Sequence, residues 1–154
     1  MYQQLSIDAA EKVAVAPAPG GLCGGTSVLT LRGEIPVEDL VTGDRVITRD
    51  SGVAVLRAIE VTEVEVNPIR ILAGSLGHTR PDRDMTVLPD AQLHLRDWRA
   101  MALFGRLNAL VPASRLIDGE FVAQQPRCRM RVHTLTFDAP HIIYCDGVEI
   151  GTGL

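Results

Sequence analysis

Aromatic residues are scarce in this 154-residue chain, at 4% of positions, so its core must be packed from aliphatic and largely β-branched side chains. A surplus of basic charge is missing too. Lys and Arg number 15 against 19 Asp and Glu, a formal charge of −4 at pH 7, which argues against a general binder of nucleic acid or of anionic membrane. No run approaches the roughly 20 apolar residues that span a bilayer. The opening stretch, MYQQLSIDAAEKVAVAPAPGG, has neither a basic start nor a long apolar segment, so no signal peptide is predicted and a cytoplasmic location is the default. Three cysteines, Cys23, Cys128 and Cys145, are an odd number and exclude a complete set of intramolecular disulfides, which fits a reducing compartment. Cys128, His133, His141 and Cys145 lack the short paired spacings of structural zinc sites, so neither a metal nor another cofactor is expected.

What is present is one domain's worth of chain, rich in turns, with 14 Gly and 9 Pro. Residues 1–20 are polar and Ala-rich and close on alternating Ala, Pro and Gly, which predicts a flexible N-terminal arm followed by a folded domain over 21–154. Inside that domain Val28, Leu29 and Leu31 precede a turn at Arg32-Gly33, Ile35 and Val37 follow it, and Gly43-Asp44 introduces a further run from Arg45 to Thr48. Asp50-Ser51-Gly52 predicts a hairpin between that run and a long one, Val53 to Val66, whose apolar phase shifts between Val61 and Val64 and suggests a bend. Short strands are predicted at Ile69 to Leu72 and Thr86 to Leu88. One helix is predicted over Arg96 to Gly105, capped by Asp97 and stopped by Gly105, with a further helical turn after Pro112. Strands resume from Arg129, with His133, Leu135 and Phe137 on one face. The final pair, Ile142 to Cys145 and Val148 to Ile150, flanks Asp146-Gly147, the dipeptide best suited to a two-residue hairpin turn. The fold class read from this pattern is mostly β with one short helix.

The stretch from Gly20 to Asp50 carries, in order, Gly25-Thr26, Thr30, Gly33, Val37-Glu38-x-Leu40 and Gly43-Asp44-x-Val46. This line resembles the first block of the Hint family, the Hedgehog and intein autoprocessing domains, and most closely its bacterial branch. The resemblance implies a horseshoe-like β fold whose two ends meet at the active site, over roughly Gly21 to Ile150. It also implies a chemistry in which a thiol or hydroxyl attacks the preceding carbonyl, turning an amide into a thioester or ester. That reaction needs a deprotonated nucleophile, a held oxyanion, a proton for the departing amine and a distorted peptide.

On this resemblance Cys23 is the candidate nucleophile and Leu22 supplies the carbonyl, although the family's nucleophile lies four residues before the Gly of Gly-Thr, which is Gly21. In the second block, Met85 to Leu95, the family's Thr or Ser falls on Leu88 and its His on Ala91. His94 comes three residues late, and the alternation of strand side chains puts it on the other face, where beside Arg96 and Asp97 it reads as a surface residue. Thr26 and Asp90 are possible supporting groups, and so is His94 where a bulge re-aims it. His133 matches a position where inteins often have Asp, and His141 matches the His that often begins the next strand, so either can be the acid or base. Gly151 and Thr152 fall where a terminal His-Asn would stand, and without that Asn splicing is not expected. Two readings remain open. One is a degenerate Hint-type domain that serves as a folded binding or structural module. The other is a self-cleaving domain that forms a thioester at Cys23 and releases its own N-terminal segment, the one partner the sequence suggests.

Overall fold

The computed structural model describes residues 21–77 and 79–153, and the predicted arm over 1–20 lies outside them. Gly21–Cys23 (β1) is followed by the hairpin of Ser27–Thr30 (β2) and Gly33–Pro36 (β3), a single 3-10 turn at Val37–Asp39, and the hairpin of Arg45–Thr48 (β4) and Gly52–Val55 (β5). After Ala58–Val66 (β6) come Ile69–Ile71 (β7), Met85–Val87 (β8) and Gln92–Leu95 (β9). The helix Trp98–Phe104 (α1) leads to Ala109–Pro112 (β10), a 3-10 turn at Ala113–Leu116, Val122–Gln124 (β11), Cys128–Thr136 (β12), His141–Cys145 (β13) and Val148–Thr152 (β14).

Local chemistry accounts for the predicted helix. The Asp97 side chain accepts the Arg99 N–H, and Gly105 takes the left-handed conformation, φ 66°, that ends it. The run from Val53 to Val66 departs from its reading as one hairpin arm. It breaks at Leu56, which is fully buried and donates its N–H to the Asp44 carbonyl, and Arg57 then donates to the Thr136 carbonyl. The two halves join different sheets: β5 pairs with β4, and β6 pairs over nine residues with β12. A buried Leu56 at the break makes the turn, and the phase shift between Val61 and Val64 lies within one continuous strand.

Three sheets result among the described residues, ordered β1-β12-β6, β11-β7-β8, and β10-β9-β14-β13-β2-β4-β5 with β3 beside β2. Both N-terminal hairpins reach the end of the chain. Val28 of β2 lies opposite Cys145, and Thr48 of β4 opposite Ile143. The core is aliphatic, as the shortage of aromatics requires: Val28, Val46, Ile71, Leu93, Ile143 and Ile150 are at most 1% exposed. A smaller apolar cluster of Cys23, Val64, Leu88 and Val132 sits apart from it.

Candidate functional site

β1 runs antiparallel to β12, with Gly21 opposite Thr134, Leu22 opposite His133 and Cys23 opposite Val132. Residues directly across a ladder share a face and successive ones alternate, so Leu22 and His133 point one way while Cys23 and Val132 point the other. This register separates Cys23 from His133. The Cys23 side chain is 1% exposed, packs into the smaller apolar cluster and places Sγ 3.8 Å from the Met130 sulfur. Burial, with a lesser push from Cys128, drives its thiol up to about 12, so very little thiolate exists at neutral pH.

A narrow crevice lies between β1 and β14, lined by Gly21, Cys23, Thr26, Thr86, Ala91 and Ile150 among others. Cys23 is the only titratable side chain lining it among the described residues. Thr26 is buried there, its carbonyl accepting the Val37 N–H. Asp90 does not line the crevice; it is half-buried nearby, and desolvation raises its pKa.

The three candidate histidines are held in separate places. His133 is 5% exposed, and its Nδ1 has no hydrogen-bond partner among the described residues. His141 places Nδ1 2.9 Å from Asp50 Oδ2 and 3.3 Å from Ser51 Oγ, with its ring edge-on to Phe137, and it takes no part in lining the crevice. His94 is on the face opposite the core, as its alternation predicts, yet its side chain is only 8% exposed because Nδ1 lies 2.7 Å from Glu149 Oε1. Glu149 was not singled out from sequence. An acidic residue between Val148 and Ile150, two core residues of the last strand, is the signal that marks it.

The sequence profile of the Hint domain matches residues 21–152, which takes in every strand described above. The chain belongs to the Hint family. Solved inteins share its fold: the DnaB intein from Synechocystis sp. PCC 6803 superposes with a TM-score of 0.58 at 9% identity, covering 87% of this chain and 99% of that one. The bacterial intein-like domain from Clostridium thermocellum gives 0.56 at 15% identity, covering 87% and 98%. The Ssp DnaB mini-intein variant M86 gives 0.60 at 10% identity, covering 91% and 99%. No protein with a curated description matches the sequence significantly.

Gly21 stands four residues before Gly25, Ala91 is buried beside the crevice, and Leu88 belongs to the apolar cluster around Cys23. Gly151 and Thr152 continue β14, and the Thr152 hydroxyl accepts the His141 N–H at 3.0 Å. The thiols give a direct check on this geometry. Cys128 is exposed, whereas Cys145 is fully buried and desolvation raises its pKa strongly. Titration with a thiol-specific chromogenic reagent should find one fast-reacting sulfhydryl in the native Hint domain and three after denaturation. Rapid modification of Cys23 in the native state would contradict the packing described here.

Proposed function

We propose that this Hint domain no longer cleaves its own backbone and is kept as a folded binding module. The reading rests on one observation above the others: among the described residues, the crevice between β1 and β14 is lined by no acid or base, and by a single thiol turned into apolar surroundings. Amide-to-thioester exchange there would need a thiolate, and burial keeps Cys23 protonated. It would also need a proton donor for the amine of the broken peptide. Such general acid help is worth about a hundredfold to ten-thousandfold in rate, and groups that act as a unit lose most of their effect together. His133 and His141 are held elsewhere by the register of β12 and by Asp50.

The test is intact mass over prolonged incubation with dithiothreitol or hydroxylamine. Full-length mass throughout is the expected result. Release of a fragment ending at Leu22, abolished by Cys23→Ala, would instead establish the self-cleaving alternative.

A further inference from the structure

On the outer face of the eight-stranded sheet, away from the crevice, a polar row crosses adjacent strands. Tyr144 of β13 lies opposite Glu149 of β14, and the register of β14 on β9 sets His94 beside that carboxylate. Loop residues Leu76, Gly77 and Arg80 rise on one side of this floor and Arg96 stands beside it, enclosing a cavity of about 380 Å³. That volume lies within the range of small-ligand sites. An adjoining hollow that shares His94 extends it past Asn108 and Arg106.

The charges in the cavity are unevenly engaged. Both of its carboxylates are occupied. Asp97 caps α1 and pairs with Arg99 at 2.7 Å, while Glu149 is held by His94, by Arg96 at 2.8 Å and by Arg49 at 3.5 Å. The guanidiniums are about half exposed: Arg80, at 49%, donates Nη1 to the Gly147 carbonyl at 3.0 Å and lies 3.8 Å from Asp82, and Arg96 is 51% exposed. Arg96 spends only Nε and Nη2 on Glu149, which leaves the Nη1 donors without a partner among the described residues. The Tyr144 hydroxyl likewise makes no hydrogen bond among them. Leu76, Leu95 and Val148 supply apolar wall.

We propose that this cavity is a carboxylate-binding site, in which Arg80, Arg96 and the Tyr144 hydroxyl take the ligand's carboxylate and the apolar wall covers its hydrocarbon portion. A planar carboxylate matches the donor fork of arginine. The Glu149 carboxylate in the floor repels a dianion more than a monoanion, which selects against phosphate. The proposal names the ligand class for the binding role above and rests on that reading only for its purpose, because the cavity and the crevice share no lining residue.

The experiment is a proton–nitrogen correlation titration of the full chain with the monoanion 4-methylpentanoate, with the peptide acetyl-Ala-Leu-Glu-Ala-amide, with its Gln counterpart and with inorganic phosphate. Saturable shifts are expected at the amides of Gly77, Leu95 and Gly147 with 4-methylpentanoate or the Glu peptide, and whichever binds tighter names a free acid or an acidic peptide as the source. Arg96→Gln and Tyr144→Phe should each weaken that binding, the former about tenfold. Arg57→Gln, the same charge change at an exposed pair with Asp138, should not. Absence of saturable shifts, equal binding of the Gln peptide or of phosphate, or equal weakening by Arg57→Gln would overturn the proposal. Intact mass of the same samples reports cleavage separately, so failure of the binding claim and failure of the inert-crevice claim are distinguishable.

Discussion

Glu149→Ala is expected to lower the stability of the domain by about 3 kcal/mol at neutral pH. The Glu149 side chain is 10% exposed and accepts from His94, which is 8% exposed, so alanine strands a buried imidazole N–H without an acceptor. Arg96 and Arg49 lose a partner as well, but at 51% and 37% exposed they regain water and add little. Burial alone would raise the pKa of Glu149; the His94 hydrogen bond and then Arg96 outweigh it and hold the carboxyl below its ordinary 4.5. A depressed folded-state value contributes stability that is fully present above 4.5 and lost as pH falls through the folded value. The gap between wild type and Glu149→Ala should therefore be wide at pH 7 and narrow towards pH 3. Urea unfolding at the two pH values measures it. A gap that stays constant, or is absent at pH 7, would mean that the row of His94, Glu149 and Arg96 is not what holds this face together.

Gly147→Val should cost about 2 to 3 kcal/mol, through the backbone more than through collision. Asp146 and Gly147 sit at φ 51° and 83°, the pair of positive angles that a two-residue hairpin turn demands. A Cβ on Gly147 would meet Arg80 Nη1 at 2.5 Å and the Asp82 carboxylate at 2.8 Å, but these are the tips of flexible side chains and can swing aside. The left-handed backbone cannot be relieved in that way. Nor can the turn move alone, because Asp146, 5% exposed, is clasped by Arg83 at 2.9 Å and its carbonyl accepts the Asp82 N–H. Losses should rise in the order Asn, Ala, Val, because Asn tolerates this conformation and a β-branched side chain does not. Equal losses in thermal melts would implicate the collision instead.

These two sites mark where the sequence was legible and where it was not. Asp146-Gly147, the Asp97 cap and the Gly105 stop act within a few residues of themselves, so their chemistry reads directly from the chain, and the ordered Gly-Thr, Val-Glu-x-Leu and Gly-Asp signals place the fold in its family. The partnerships that decide the site span long distances. Cys23 is assigned its face by pairing with Val132, more than a hundred positions later, and His94 becomes buried only because β14 brings Glu149 to it. A lone histidine beside two charged neighbours carries no trace of an acceptor 55 positions away. The break at Leu56 was hidden for a related reason. β5 and β6 both read as strand, and which sheet each joins is set by β4 and β12, not by their own residues.

The place of β1 has a mechanical meaning. Gly21, Leu22 and Cys23 form an edge of their sheet, with β12 as their one strand partner among the described residues, while β12 is also anchored to β6 by nine residue pairs. A load that strips these three residues from β12 would bare the lining of the crevice and the thiol of Cys23 and leave the pairing of β12 with β6 in place. Force on this edge would then be reported by a newly reactive sulfhydryl.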